Sequence, residues 1–370
     1  MKFAILQNQI GIGGRNRVVA EVISILNDNN IVPTVFTLSD DKSVDSFKSN
    51  YGCSLSFHVK NYLNLSFKRG YAYQVLLLNM ISCNRLKKFD IIFNCNDNNY
   101  FLPNNVKKIH YINFPFEAAF EHNDRYNSIR WLLYKLPLKL LFKLNPVTFD
   151  INDFIVTNSN YSRNKIIDYY RLKKEDINVV YPPTINKIEN SKTKYKEKKV
   201  VSVGAFVPDK RQLEQIKIAQ QNPKVIFNII GMVKSKSYFD KCYSYIKENN
   251  IRNVNLHPNS SYDNLNRLLN ESLIFLHTRK KEHFGISIVE AIAKGCIPVI
   301  HNSGGQIEIV TNKNLRFENI NQASQIISSL INDSMDISSI REKLQIHIEK
   351  FKTSNFKKKL KEIIDNVMEE

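Results

Sequence analysis

The stretch Leu276–Val310, LHTRKKEHFGISIVEAIAKGCIPVIHNSGGQIEIV, decides the fold class. It continues the apolar run that begins at Leu273, and it contains a charged loop, a short helical pattern ending before Gly295, and a second apolar run from Ile297 to Ile300. A strand, a loop, a helix and a strand in this order form a βαβ unit. Because α/β proteins bind ligands in the loops that follow such strands, the sequence predicts a binding site between residues 277 and 287.

The residues of this loop suit a ligand that carries both phosphate and sugar. Gly285 lacks a Cβ, and the amides of Gly285, Ile286 and Ser287 begin a helix whose dipole favours an anion. Glu282 precedes that helix and Glu290 lies within it. Ionised carboxylates accept hydrogen bonds from sugar hydroxyls, so the combination describes a nucleoside diphosphate sugar. Taken singly, each glutamate is more typical of a solvated surface charge.

The segment from Glu282 to Glu290, EHFGISIVE, resembles the E-x7-E signature of the retaining GT-B glycosyltransferases of family four. His277-Thr278 and the turn from His301 to Gly305 extend the resemblance to the α-1,2-mannosyltransferases that elongate the dolichol-linked oligosaccharide. The resemblance implies that Glu282 holds the transferred sugar and takes part in catalysis, that Glu290 holds the ribose, and that Phe284 to Ser287 lie at the donor. It also implies retention of configuration without a protein base. We expect no cofactor and no metal.

A second motif, from Gly204 to Lys210, resembles the family's G-R-x-x-P-E-K element, whose lysine binds the diphosphate. Lys210 matches and is the second predicted catalytic residue. The arginine of the element is missing, because Ala205 and Val207 occupy the two places where the family carries it. Arg211 or another residue would have to replace it. Outside this resemblance, Lys210 is an ordinary loop lysine.

Two further elements lie in the first half of the chain. Gly13 and Gly14 follow an apolar strand and precede a helical pattern, which by itself is a weak phosphate signal. The resemblance implies that this glycine pair lets the first helix approach the substrates. His110 with Tyr111 resembles the family's H-Y element, whose histidine faces the transferred sugar across the cleft, and His110 is the third predicted catalytic residue. A strand histidine on its own is more often a hydrogen-bonded core residue.

The chain length and the order of its elements predict two domains. A chain of 370 residues exceeds one ordinary core. Strand patterns alternate with helical segments, and this alternation predicts mostly parallel sheets. The predicted strands lie at residues 2–6, 34–38, 90–95, 109–113, 154–158, 199–203, 225–230, 253–257, 273–276 and 297–300. We expect two Rossmann-like domains facing across a cleft, an acceptor-side domain at 1–185 and a donor-binding domain at 186–350. A lysine-rich connection at 186–198 lies between them, and a terminal helix at 351–370 packs back on the first domain.

The charge and the cysteines bound the environment and the partners. The formal net charge of +18 favours polyanions such as an anionic membrane, phosphorylated substrates or nucleic acid, or only a lysine-rich proteome. No aromatic and basic recognition module is visible, so we expect no nucleic acid. Five widely spaced cysteines argue against a disulfide framework, and no signal peptide is evident. These observations predict a cytoplasmic protein, or one peripheral to the inner membrane face.

The segment from Arg130 to Leu144, RWLLYKLPLKLLFKL, is the candidate membrane contact. It is basic and leucine-rich and contains Trp131, a composition typical of helices that lie in the headgroup plane. A helix buried against its own domain, with lysines extended to solvent, is the equal alternative. Pro137 predicts two short helices or a kink.

These observations together predict a glycosyltransferase that moves a hexose, mannose from GDP-mannose, onto a lipid-linked or glycan acceptor. A UDP-sugar donor with a polysaccharide or small-molecule acceptor stays open, because recognition of the base is not legible in the sequence.

Overall fold

The computed structural model describes residues 1–11, 13–52, 54–63, 70–118, 129–188 and 196–369, with the backbone alone at 129–131. The chain divides into two compact units. The first consists of Met1–Pro183 together with Thr353–Glu370, and the second of Thr184–Lys352. The predicted connection at 186–198 includes residues 189–195, which lie outside the described residues.

The first unit is built on one parallel sheet. Its strands are β1 (Phe3–Leu6), β2 (Thr34–Thr37), β3 (His58–Asn61), β4 (Ile91–Asn94), β5 (Lys107–Ile112), β6 (Asp153–Thr157) and β7 (Ile177–Val179). They pair in the order β3-β2-β1-β4-β5-β6-β7, and every pair is parallel. The central strands β1 and β4 are buried at every position, as expected of a sheet covered by helices on both faces.

Six described helices accompany this sheet: α1 (Gly14–Asp28), α2 (Asp41–Tyr51), α3 (Tyr71–Leu86), α4 (Ile129–Leu144), α5 (Asn160–Tyr170) and α12 (Thr353–Glu369). The terminal helix α12 lies on α1, and its apolar stripe, which includes Phe356, Leu360 and Ile364, joins the core of the first unit. The end of the chain therefore completes the unit in which the chain begins.

The second unit repeats the same plan. Its strands are β8 (Glu197–Val203), β9 (Phe227–Gly231), β10 (Val254–Pro258), β11 (Ser272–His277), β12 (Ile297–His301) and β13 (Arg316–Phe317). They form a parallel sheet in the order β10-β9-β8-β11-β12-β13. Its helices are α6 (Gln212–Gln221), α7 (Lys236–Glu248), α8 (Tyr262–Glu271), α9 (Ile286–Ala293), α10 (Ile320–Ile331) and α11 (Ile337–Ile348). The predicted α/β class with two Rossmann-like domains is confirmed.

Helix α4 contradicts the prediction of two short helices around Pro137. It runs unbroken through Pro137, so two separate helices are wrong. Proline removes the hydrogen bond that would reach back to the carbonyl of Leu133, and Leu133 is 66% exposed, so water can solvate that carbonyl. The side chain of Trp131 lies outside the described residues. None of the described helices has both the length and the apolar character needed to cross a membrane.

Candidate active site

The loops that follow β8 and β11 meet at the carboxyl edge of the second sheet. These two strands pair in parallel, although β9 and β10 lie between them in the sequence. The hydroxyl of Thr278 donates to the carbonyl oxygens of Lys210 at 3.1 Å and of Arg211 at 3.3 Å, which ties the two loops together. Since the strand order reverses at this pair, it is the switch point at which open α/β sheets bind their ligands.

The Glu282 carboxylate lies between two cations in this position. Lys210 Nζ is 2.8 Å from Glu282 Oε2, and Arg279 Nη1 is 2.6 Å from Glu282 Oε1. The guanidinium of Arg279 also contacts Asp209, with Nε 2.9 Å from the Asp209 Oδ2 atom. Two predicted residues, Lys210 and Glu282, are therefore brought together. The sequence analysis did not single out Arg279, which completes the cluster.

The surroundings keep Glu282 ionised. Burial works to raise the pKa of this carboxyl, but the charges of Arg279 and Lys210 outweigh burial and hold the pKa well below its usual range. His277 lies at the end of β11 with Nε2 3.4 Å from Glu282 Oε2. Burial lowers the pKa of His277, so its imidazole is neutral at pH 7. The cluster thus offers one carboxylate acceptor beside the side chains of Lys210 and Arg279.

Gly304 fixes the backbone of Glu282. The two residues form an isolated parallel bridge, and the amide of Gly305 donates to the carbonyl oxygen of Glu282 at 2.7 Å. Gly304 has a φ of +77°, and a Cβ placed on it would lie 2.5 Å from that same oxygen. The glycine turn after β12 is therefore required because the loop that carries Glu282 packs against it without room for a side chain.

Helix α9 begins directly beside this cluster. Its N-cap residue, Gly285, has a φ of +114° and supplies no side-chain cap. The first bond within the helix runs from the amide of Ile288 to the carbonyl of Gly285 at 3.0 Å, so the amides of Ile286 and Ser287 precede it. Amides at a helix start attract an anion such as a phosphate. Glu290 is half-buried one turn after Ile286.

Two of the predicted donor residues have structural partners of their own. The Phe284 side chain is 3% exposed and packs edge-to-face on Phe351, with 5.2 Å between ring centroids. A buried ring of this kind packs the loop, and only its backbone is suited to meet a ligand. The Arg211 guanidinium pairs with Glu214 on α6. Arg279 rather than Arg211 is therefore the second cation beside Glu282.

Gly13 and Gly14 lie after β1 at the start of the first helix, as the sequence predicts, and Gly14 is the first residue of α1. Gly13 is the N-cap of α1, and a Cβ built on it would have no atom of the described residues within 4 Å. Gly13 has no side chain to accept from the first amides of the helix, and its own amide donates to the hydroxyl of Tyr51 at 2.8 Å. The start of α1 therefore leaves space above a glycine, as a close ligand approach requires.

His110 lies inside the first sheet rather than at its edge. It is the fourth residue of β5 and is 1% exposed. Its Nδ1 atom is 3.1 Å from the side-chain Nδ2 of Asn94, its Nε2 atom is 3.4 Å from Asp153 Oδ2, and its ring packs on Phe149. These partners are those of a core histidine. A role of His110 toward the sugar stays a prediction.

A polar group occupies the carboxyl edge of the first sheet instead. Asp97 follows β4 and pairs with Arg15 of α1, and it accepts from the amide of Asn113, which follows β5, at 2.7 Å. Asn158, which follows β6, donates to Asn113 at 3.3 Å. The signal that could have found this group is the position of Asn113 and Asn158 directly after an apolar strand, and of Asp97 in the loop after β4.

Family models match both units. Residues 12–184 match the model described as Glycosyltransferase Family 4, and residues 184–350 match the model described as Glycosyl transferases group 1. Together they span most of the chain. The chain therefore belongs to the glycosyltransferases of this family, which confirms the predicted resemblance.

Curated relatives and a solved structure agree with this family. The chain is 33% identical over 177 residues to the GDP-Man:Man(3)GlcNAc(2)-PP-Dol alpha-1,2-mannosyltransferase of Xenopus laevis, a match of 43% of this chain and 36% of the relative. It is 25% identical over 262 residues to the protein of that name in Dictyostelium discoideum, covering 63% of this chain and 50% of the relative. The chain thus matches half or less of these relatives' length.

The Anabaena protein HepE, solved in complex with UDP and glucose, shares the fold with a TM-score of 0.70 at 17% identity, over 99% of this chain and 100% of that one. At this identity the likeness concerns the GT-B fold alone, which is the fold predicted from the sequence.

Proposed function

We propose that this chain is a retaining mannosyltransferase that moves mannose from GDP-mannose onto a lipid-linked glycan. The observation that carries the proposal is the Glu282 carboxylate between Lys210 and Arg279, at the switch point of the second sheet and beside the start of α9. A site with cations, helix amides and an ionised carboxylate matches a diphosphate joined to a sugar. The donor and the acceptor class are those in the names of the curated relatives.

Each group has a separate task in the proposed reaction. Lys210 and the amides of Ile286 and Ser287 bind the diphosphate, Glu282 accepts hydrogen bonds from the hydroxyls of the transferred sugar, and Glu290 accepts from the ribose. The bond from the anomeric carbon to the diphosphate oxygen breaks, and a bond from the acceptor hydroxyl oxygen forms on the same face. The acceptor proton passes to the leaving diphosphate. Lys210 stabilises the charge that develops on that leaving group.

A transfer assay tests this proposal. The chain is incubated with GDP-mannose or UDP-glucose and with a lipid-diphosphate oligosaccharide ending in mannose. We expect a product that is one hexose larger with GDP-mannose, and loss of that product in Lys210→Ala. Transfer from UDP-glucose alone would keep the enzyme class and replace the donor. Absence of transfer from both donors, with nucleotide binding absent as well, would contradict the proposed activity.

We further propose that helix α4 docks on an anionic membrane surface. One stripe of the helix, Tyr134, Leu138 and Phe142, packs into the first unit. A second stripe of leucines is exposed to solvent by 50% to 82%, and it consists of Leu132, Leu136, Leu140 and Leu144. Since successive residues turn by about 100°, residues 136 and 134 lie on opposite sides of the helix. The helix therefore buries one apolar face and leaves another uncovered.

The charges beside the exposed leucines define the partner. Lys139 and Lys143 are exposed on the stripe next to the leucines. Exposed leucines flanked by lysines suit the boundary between anionic headgroups and acyl chains. A lipid-linked acceptor is presented at such a surface, so this contact fits the proposed substrate.

Vesicle flotation tests the contact. We expect the chain to float with phosphatidylcholine vesicles containing phosphatidylserine, less with phosphatidylcholine alone, and poorly as the double variant Leu136→Gln, Leu140→Gln. Met232→Gln, which changes a residue 55% exposed in the second unit, is the control and should float as the parent does. Equal flotation of the parent and the double variant would contradict docking through α4.

A further inference from the structure

The hydrogen-bonding positions of Glu282 are already faced by protein donors. Oε1 lies 2.6 Å from Arg279 Nη1 and 3.2 Å from the amide of His283. Oε2 lies 2.8 Å from Lys210 Nζ and 3.4 Å from His277 Nε2. Three of these contacts are hydrogen bonds, donated by Arg279, Lys210 and the His283 amide, whereas His277 Nε2 is in contact without a hydrogen bond. A carboxylate offers about four acceptor positions, so protein donors occupy most of them. Departure of Lys210 from Oε2 therefore adds an acceptor position for a sugar hydroxyl, while Arg279 still holds Oε1.

Arg279 is held in place at three points. Its guanidinium bridges Glu282 and Asp209, and its carbonyl oxygen accepts from the side-chain Nε2 of Gln306 at 3.0 Å. Gln306 is fully buried and donates to the carbonyl of His301 at 2.7 Å as well, so it anchors the loop to β12. A planar guanidinium fixed by two carboxylates keeps its orientation.

Lys210 is held more loosely. Within the described parts of the chain, its ammonium pairs with Glu282 and with no second carboxylate. Its side chain is 26% exposed, and an ammonium on a four-carbon stem can move between neighbouring anions. Of the two cations, Lys210 is the one free to transfer to a diphosphate.

We propose that Arg279 is a positioning residue that keeps Glu282 ionised and oriented toward the sugar while Lys210 moves from Glu282 to the donor diphosphate. This inference rests on the donor site proposed above. It assigns different tasks to the two cations. Lys210 meets the ligand, and Arg279 acts through Glu282.

The assignment has a consequence for pH dependence. The charged and titratable groups that face Glu282 are Lys210 from the turn after β8, His277 from β11, and Arg279 from the loop after β11. Arg279 is itself paired with Asp209. When Lys210 transfers and Arg279 is absent, Glu282 remains a buried carboxylate beside a neutral imidazole. Burial without a cation raises a carboxyl pKa, so protonation would then remove the acceptor for the sugar hydroxyl.

Binding of GDP and GDP-mannose between pH 5.0 and 7.5 tests the proposal, because only GDP-mannose carries the sugar. The preference for GDP-mannose is the ratio of the GDP dissociation constant to the GDP-mannose dissociation constant. In the parent chain we expect this ratio to be constant from pH 5.0 to 7.5. In Arg279→Gln we expect the preference to fall about threefold or more from pH 7.5 to 5.0, since a pKa shifted by one unit changes the ionised fraction up to tenfold. The affinity for GDP itself should change little.

Three variants complete the comparison. Arg279→Lys keeps the charge and should keep the preference nearly constant with pH. Asp209→Asn removes one anchor of Arg279 and should give a smaller fall, which keeps the test available if Arg279→Gln does not fold. Arg267→Gln is the matched control, because Arg267 also pairs with a glutamate, Glu271 at 2.9 Å, but on the exposed helix α8.

Two results would overturn the inference while the proposed function stands. One is a preference for GDP-mannose in Arg279→Gln that matches the parent at every pH. The other is a loss of GDP affinity equal to the loss of GDP-mannose affinity, which would make Arg279 a phosphate ligand. If the parent chain binds neither ligand, the proposed function itself fails and the inference fails with it.

Discussion

Replacing Gly304 by alanine should displace the backbone that carries Glu282. Gly304 has a φ of +77° and a ψ of −167°, a region that glycine alone adopts at low cost. An added Cβ would lie 2.5 Å from the carbonyl oxygen of Glu282 and 2.7 Å from its amide nitrogen. These are backbone atoms, so no side-chain rotation relieves the contact. The strained conformation costs about 1–3 kcal/mol, and the forced backbone shift adds about 1–3 kcal/mol.

Urea unfolding and GDP-mannose binding measure the two consequences of Gly304→Ala. We expect the second unit to lose roughly 2–6 kcal/mol of unfolding free energy and donor binding to weaken. Gly70→Ala is the control for positive φ alone, because Gly70 has a φ of +78° and a Cβ there meets no atom within 4 Å among the residues that the structure describes. Its cost should be about 1–2 kcal/mol. A Gly304→Ala variant no less stable than Gly70→Ala, with donor binding unchanged, would refute the reasoning.

Three other predictions concern a carboxylate, a core residue and pH. Glu290→Gln should weaken nucleoside diphosphate binding, measured by calorimetry, by roughly 1.5–3 kcal/mol for each charge-assisted bond lost; unchanged affinity would remove Glu290 from the site. Leu360→Ala, at a fully buried position of α12, should lower the unfolding free energy of the first unit in urea by about 2–5 kcal/mol. Ile346→Ala, at a position that is 66% exposed, should change the unfolding free energy little. The pKa of Glu282 is depressed in the folded chain, so its stabilisation is present above the unfolded value of about 4.3 and is lost as the pH falls through the folded pKa. The stability difference between the parent and Glu282→Gln should therefore narrow below about pH 4 in thermal unfolding, and a constant difference would contradict this linkage.

The ten strands predicted from apolar runs are all present. Nine of them lie inside the sheets, where strands covered on both faces carry an apolar signal, and the tenth, β10, lies at an edge. The sequence analysis missed β3, β7 and β13, which lie toward the edges of the sheets. β7 has three residues and β13 has two, which is too short for a periodic pattern. β3, with the sequence HVKN, has alternating exposed and half-buried positions, and two of its residues are charged or titratable. Edge strands of this kind are defined by their pairing rather than by their own composition.

The site was predictable where a residue type matches a motif and unpredictable where only the fold selects a side chain. Glu282 and Lys210 were found through the motifs that contain them. Arg279 begins the basic run Arg279-Lys280-Lys281, and the sequence does not tell which of these three residues turns toward Glu282. The structure selects Arg279, while Lys281 takes a positive φ of 52° at the bend of the loop.

His110 illustrates the opposite limit. The motif that contains His110 does not tell whether the residue lies inside the strand or at its carboxyl end. A side chain inside the strand is buried, whereas one at the carboxyl end can meet a ligand. The strand extends two residues beyond His110, to Ile112, so the edge of the sheet is reached only at Asn113. A shift of three residues along the strand separates a buried side chain from one that follows the strand end.

Calorimetric titration of GDP into the parent chain and into Lys210→Ala tests the central claim most directly, because the claim is that the carboxyl edge of the second sheet binds the diphosphate of GDP-mannose. The account predicts saturable binding of GDP, weaker binding of UDP, and a loss of at least about tenfold in GDP affinity in Lys210→Ala, as expected for one charge-assisted contact. Absence of GDP binding to the parent chain, or equal affinities of the parent and Lys210→Ala, would contradict the account.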